Sequence, residues 1–344
     1  MGALSENGPC FVGNDSNSTY LNPWSWNNEV NILYIDQPNQ VGFSYDTATN
    51  VTVTLTSAEE MGLAYEAADF SDGIPEHNLT FTTATTGTQN VSHTANSTTH
   101  AAVALWHFAQ TWFEEFPHYK PHDEQISLFT ESYGGHYGPG FASFFVRQNE
   151  LIANGTICGP GTHYLHINTL GLVNACIDME EQSKSYATFP VNNTYGIQAF
   201  TEPEYHRAMY ALQREGGGID RIRECQRLQS QLDRFDHGDV KRVNEYCIET
   251  MMVADNVSSE YYISKHQNGW YDITHPGADS FPAPYLTGFL NQQWVQRALG
   301  VPVNHTAASS AVYTAFTSTG DIVRAGLLED IGYLLDHGVK VAML

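Results

Sequence analysis

The stretch Gln125-Ile126-Ser127-Leu128-Phe129-Thr130-Glu131-Ser132-Tyr133-Gly134-Gly135-His136-Tyr137 decides the fold. Residues 125–129 have the length and apolar content of a strand, and the chain beyond Gly135 places Phe141, Phe144, Phe145 and Leu151 at helical spacing. A serine therefore falls on the joint between a strand and a helix. Such a joint lifts the hydroxyl clear of the sheet edge. It also leaves the N–H groups of the helix N-terminus without intrahelical acceptors, ready to stabilise an oxyanion. The turn needs small flanking residues. Gly134 follows Ser132 by two, but Thr130 precedes it by two where the G-x-S-x-G pattern has glycine, so the pattern is half matched. The competing reading of Ser132 is an ordinary helix N-cap.

Working outward, Asn31-Ile32-Leu33-Tyr34-Ile35-Asp36 is a short apolar run closed by Pro38 and Gly42, expected as a buried strand. Residues 72–99, rich in Thr, Asn and Ser, are expected as a surface loop and not a core element. Residues 101–116 carry Trp106, Ala109, Trp112 and Phe113 at helical spacing, and Pro117 stops the helix. Residues 163–173 predict a second strand. Residues 202–255 are charged and helical in pattern, unlike the apolar segments around them, and are expected as an inserted cap. Helices are predicted over 287–299 and 321–337, and a final apolar strand from Val339 to Leu344. The alternation of strand and helix predicts an α/β fold: a mostly parallel sheet with helices on both faces and a helical insertion. The expected divisions are a core over 1–178, a cap over 179–310 and a return to the core over 311–344.

Composition narrows the function. The 344 residues are 42% hydrophobic and 12% aromatic, ample for a core. Lys and Arg total 15 against 38 Asp and Glu, a formal charge of −23. So acidic a chain neutralises few phosphates and docks poorly on anionic lipid, so neither nucleic acid nor a membrane is an expected partner. No apolar run is long enough to span a bilayer. No HExxH, P-loop or dinucleotide fingerprint occurs, and the five cysteines form no CxxC pair, so no cofactor and no metal are expected. His118 and His122 have metal-like spacing, but Pro121 breaks the helix that would align them. His136, one turn beyond Ser132, is expected to pack or hydrogen-bond locally.

Glycosylation sequons begin at Asn14, Asn17, Asn50, Asn78, Asn90, Asn96, Asn154, Asn192, Asn256 and Asn304. Chance would supply about three or four, so a secreted or vacuolar glycoprotein with disulfides is expected. Cys225 and Cys247 flank two predicted insertion helices, and a bridge between them would staple a hairpin; spacing alone does not fix connectivity. The chain opens without a basic stretch and apolar leader and closes on an apolar run, so both ends are expected to be truncated and the signal peptide missing.

Several motifs, in order, resemble the serine carboxypeptidase family. Glu131-Ser132-Tyr133-Gly134-Gly135-His136-Tyr137 resembles its nucleophile motif. Asn22-Pro23-Trp24-Ser25-Trp26-Asn27, the run from Asn31 to Pro38, and Val41-Gly42-Phe43-Ser44-Tyr45 match its second signature. Glu6-Asn7-Gly8-Pro9 resembles its Glu-x-Gly-Pro element. Phe113-x-x-Phe116-Pro117-x-Tyr119 resembles the helix end before the nucleophile, and Leu170-Gly171-Leu172-Val173-Asn174 the following strand.

The resemblance implies an α/β-hydrolase fold and release of C-terminal amino acids from peptides at acidic pH. Ser132 would be the nucleophile and the Tyr133 N–H one oxyanion donor. Glu131 and Glu6 would form an acidic pair that shares protons to bind the substrate's terminal carboxylate. The family's triad Asp and His lie downstream of a strand resembling the one from Val339 to Leu344. The chain as given is therefore expected to lack them, and to be inactive by itself. Two rivals stand beside this reading: an acyltransferase or esterase on the same scaffold, and an inactive fragment with a binding role. Substrate side-chain preference and oligomeric state are not legible.

Overall fold

The computed structural model describes residues 2–55, 63–116, 118–265, 269, 271–275 and 285–344, with backbone alone over 254–265. Along the chain, a π-helical turn (Gly2–Glu6) precedes strands β1 (Cys10–Val12), β2 (Thr19–Leu21), β3 (Thr49–Leu55), β4 (Leu63–Ala67) and β5 (Phe81–Thr86). Then come helix α1 (Thr98–Glu115), β6 (Gln125–Glu131), α2 (Gly134–Ala153) and β7 (His166–Val173). Helices α3 (Met179–Thr188), α4 (Glu202–Gln213), α5 (Gly218–Leu232), α6 (Lys241–Lys265), α7 (Tyr285–Leu290), α8 (Gln293–Leu299), α9 (Ser310–Thr317) and α10 (Leu327–Asp336) follow, and β8 (Lys340–Met343) ends the series. The chain divides into two units, Met1–Ala95 with Ser280–Ala315, and Asn96–Asp279 with Phe316–Leu344.

The second unit holds a parallel sheet in the order β6-β7-β8. Parallel neighbours need a crossover, and α2 supplies it between β6 and β7. The central strand β7 is buried at Leu170 and Leu172, which meet Ala142 of α2, Ile331 and Leu334 of α10, and Val339. Removing each such leucine from water contributes roughly 2–3 kcal/mol. A second cluster, Trp106 of α1, Phe145 of α2 and Leu165, seats α1 on α2. The α/β expectation is met in this unit, and the segment 202–255 is helical as predicted, forming α4, α5 and most of α6. A disulfide joins Cys225 to Cys247 inside a buried cluster with Ile222, Leu228, Val243 and Val323.

Three expectations are corrected in the first unit and one in the second. The run Asn31-Ile32-Leu33-Tyr34-Ile35-Asp36 is not a strand, and no strand among the described residues pairs with it. Leu33, Tyr34 and Ile35 are exposed there, and the Tyr34 hydroxyl donates to Asn7 Oδ1 at 2.8 Å. An apolar run of six records hydrophobicity, whereas a strand also requires a neighbour for its backbone. Conversely, 72–99 contains β5, which pairs antiparallel with β3, itself flanked by β4 on its other edge. Threonine is β-branched and suits a pleated, half-buried surface, so a Thr-rich stretch that looked like loop forms sheet. The helix predicted over 287–299 is two short helices, α7 and α8, and the one over 321–337 is a 3-10 turn (Asp321–Val323) followed by α10.

Candidate active site

Ser132 occupies the C-terminal edge of the parallel sheet, where open α/β sheets place their chemistry. It is exposed, and its φ is +59°, a left-handed conformation that costs a non-glycine residue about 1–2 kcal/mol. The surrounding backbone holds it there. The Ser132 N–H donates to Val173 O at 3.0 Å, and the Ser132 carbonyl accepts from the N–H groups of Gly135 and Cys176, both at 2.9 Å. That carbonyl shares a planar peptide with the Tyr133 N–H, which must point the opposite way. Two hydrogen bonds on one side of the peptide thus aim a free-standing donor on the other. Tyr133 also heads α2, where first-turn N–H groups lack intrahelical acceptors and the helix dipole favours an anion.

The departure from G-x-S-x-G at Thr130 has a structural explanation. The Thr130 hydroxyl donates to Gly134 O at 2.8 Å. A Cβ on Gly134 would come to 2.6 Å of Thr130 Cβ, and one on Gly138 would strike Thr130 Oγ1. The space that a glycine before the serine would provide is provided instead by two glycines after it. Gly135 is similarly constrained, because a Cβ there would meet the Cys176 backbone.

The Tyr133 ring is boxed in. It stacks on His136 with centroids 5.0 Å apart and meets Tyr137 and Phe316 edge-on at 5.0 and 5.8 Å. Its hydroxyl donates to Asp321 Oδ2 at 2.6 Å. Burial first, and the Asp321 charge second, hold that hydroxyl well above the usual tyrosine range, so it remains a donor. His136 is buried, and its Nδ1–H donates to Cys176 O at 2.6 Å. It therefore packs locally, as the sequence suggested. Glu131, the last residue of β6, is exposed beside Ser132.

Glu6 belongs to the first unit and ends the opening π-helical turn. Two motifs meet at this turn. Asn22 Nδ2 donates to Glu6 O at 3.2 Å and to Gly8 O at 3.0 Å, and Ser25 Oγ donates to Asn7 O at 3.1 Å. The Asn22-Pro23-Trp24-Ser25 stretch thus clamps the backbone of Glu6-Asn7-Gly8-Pro9, and a Cβ on Gly8 would collide with Ala3.

Among the sequons, Asn14, Asn17, Asn50, Asn78, Asn90, Asn154 and Asn192 are exposed. Asn96 and Asn304 are half-buried, and Asn304 Nδ2 donates to Asn291 Oδ1 at 3.2 Å. The Asn256 side chain lies outside the described residues.

Sequence reasoning missed a charged cluster behind Tyr133. Asp321, only 2% exposed, accepts from the Thr98 N–H at 2.9 Å and the Thr98 hydroxyl at 2.7 Å. Arg324, also buried, donates to Asp233 at 2.8 Å, Asp236 and Asn244 at 2.6 Å, and Thr319 O at 3.0 Å. Burial, then the charge of Asp321, pushes Asp236 up to about 6, against the pull of Arg324. Burial raises Asp233 too, but Arg324 and the N–H groups of His237 and Gly238 hold it below the usual range. One signal was available: Asp321 and Arg324 are the only Asp, Glu, Lys or Arg between Arg297 and Glu329.

Comparison with known proteins agrees with this geometry. The profile of the serine carboxypeptidase family matches residues 1–344. Carboxypeptidase S1 homolog A of Arthroderma otae is 46% identical over 348 residues, covering 100% of this chain and 52% of that protein. The carboxypeptidase Y homolog of Arthroderma benhamiae is 41% identical over 350 residues, covering 100% and 54%. The chain thus spans about half the length of the curated relatives it matches. Among solved structures, that of Kex1Δp, a prohormone-processing carboxypeptidase from Saccharomyces cerevisiae, superposes with a TM-score of 0.59 at 20% identity, covering 99% of this chain and 61% of that one; it supports the fold. The serine on its strained joint, the helix that heads it and a family match along the whole length place this chain in the serine carboxypeptidase family.

Proposed function

We propose that the protein is a serine-type carboxypeptidase that releases C-terminal amino acids from peptides at acidic pH through an acyl-enzyme on Ser132. The observation that carries this reading is the left-handed Ser132 at the strand–helix joint, with the Tyr133 N–H fixed opposite its own peptide carbonyl. Ser132 Oγ attacks the scissile carbonyl, and the developing oxyanion is received by the Tyr133 N–H. The amine leaves, and water then cleaves the acyl-enzyme. The reaction needs a general base for the Ser132 proton; His136 does not reach Ser132, because its ring stacks on Tyr133 with Nδ1–H on Cys176 O and its buried Nε2 has no hydrogen-bond partner.

Glu131 and Glu6 are assigned to the substrate carboxylate on their motifs. A protonated carboxyl donates to an anionic terminus, so affinity weakens as pH rises and the shared protons leave. The exposed sequons and the Cys225–Cys247 disulfide support a secretory or vacuolar location.

The test uses the full-length enzyme at acidic pH with a blocked dipeptide as free acid and as amide. Ser132→Ala abolishes release, and Glu131→Gln with Glu6→Gln raises KM for the free acid more than for the amide. Release by Ser132→Ala at the wild-type rate overturns the assignment of the nucleophile. Equal changes in KM for the two substrates overturn the carboxylate role.

A further inference from the structure

Asp321 touches neither Ser132 nor any group assigned above to substrate, yet three of its hydrogen bonds converge on the site's support. Its Oδ1 accepts from the Thr98 N–H and its Oδ2 from the Thr98 hydroxyl, at the first residue of α1. It thereby caps that helix from far along the chain, where the dipole favours a carboxylate. The same Oδ2 accepts from the Tyr133 hydroxyl at 2.6 Å. The turn carrying Asp321 is tied down independently, because the Thr319 hydroxyl donates to Asn96 O at 2.8 Å. One buried carboxylate therefore joins the head of α1 to the residue that follows the nucleophile.

The peptide between Ser132 and Tyr133 needs that second anchor. Its carbonyl is fixed by Gly135 and Cys176, but the flanking Ser132 holds an unfavourable φ of +59° that relaxes if the Tyr133 end is free to rotate. The aromatic neighbours confine the Tyr133 ring without directing it, whereas the hydroxyl bond to Asp321 is short and directional. We infer that Asp321 is a positioning residue, which holds the Tyr133 N–H in register for the oxyanion by anchoring the Tyr133 hydroxyl to the head of α1. This inference rests on the reading of Ser132 as nucleophile.

The experiment compares wild-type, Tyr133→Phe, Asp321→Asn and the double variant as full-length enzymes. Tyr133→Phe deletes only the hydroxyl and keeps the N–H and the ring, so it tests the anchor even if Asp321→Asn does not fold. Two readouts are taken per titrated active site: the second-order rate at which a fluorophosphonate labels Ser132, and kcat and KM on a blocked dipeptide. The expected result is a tenfold or greater fall in labelling rate and kcat for Tyr133→Phe, with KM within twofold. Asp321→Asn should match it, and the double variant should be no worse than the more impaired single variant. A merely structural Asp321 lowers the amount of titratable enzyme and leaves the rates per site unchanged. That result, or a wild-type labelling rate in Tyr133→Phe, overturns the inference. Labelling that responds as expected in an enzyme without peptide turnover leaves the positioning role standing and refutes the carboxypeptidase reading instead.

Discussion

Replacing Gly138 by alanine tests whether Thr130, Gly134 and Gly138 form one packed unit beneath Ser132, the proposed nucleophile. The added Cβ would strike Thr130 Oγ1 and lie 3.0 Å from Leu170 Cδ1 and Leu172 Cδ2. Leu170 and Leu172 are buried in the sheet core, so little can yield. Overpacking of this kind costs about 1–3 kcal/mol. Alanine returns about 1 kcal/mol of helix propensity, leaving a net loss of roughly 0–2 kcal/mol. Thr130→Ala alone loses the bond to Gly134 O, about 1 kcal/mol. In the Thr130→Ala background the hydroxyl is gone, so the full helix-propensity gain should show and Gly138→Ala should stabilise by about 1 kcal/mol. The expected coupling energy is therefore about 1–3 kcal/mol. It is measured by denaturant unfolding of the four proteins, with Ser132 labelling by a fluorophosphonate as the functional readout. Additive losses would refute the reasoning, because they would mean that the new methyl is resisted by something other than Thr130.

Two further outcomes follow from the buried charges and the disulfide. Burial and the Asp321 charge push Asp236 up to about 6 from the ordinary aspartate value of 3.8, so the folded state holds its proton more tightly. Such a group loses stability as pH rises through that window, by about 3 kcal/mol at most across it. The melting temperature of Asp236→Asn relative to wild type should therefore rise between pH 4 and 7, and a difference independent of pH would contradict the placement of this carboxyl. The Cys225–Cys247 bridge closes a separation of 22 residues, for which chain entropy gives about 3 kcal/mol. Replacing both cysteines by alanine should lower unfolding stability by about that amount, and an unchanged midpoint would show that the α5–α6 pairing is held by its apolar contacts alone.

The sequence determined what is local and periodic. The spacing of Trp106, Trp112 and Phe113 predicted α1, the run 125–129 predicted β6, and the Phe-rich spacing after Gly135 predicted α2; all three form where expected. Because a strand–serine–helix order is contiguous in the chain, Ser132 could be singled out as the candidate nucleophile before any fold was known. Tertiary structure decided whatever required a partner distant in sequence. The run from Asn31 to Asp36 has the hydrophobicity of a strand but no neighbour for its backbone, while threonines 82, 83, 85 and 86 form sheet because β3 lies beside them. Thr130 broke the expected glycine pattern, and only its approach to Gly134 and Gly138 shows why the joint accommodates it. Asp321 meets Tyr133 across 188 residues, and Arg324 meets Asp233 across 91. A buried charge is tolerated only beside its hydrogen-bonding partners, and the chain reveals those partners only once it has folded.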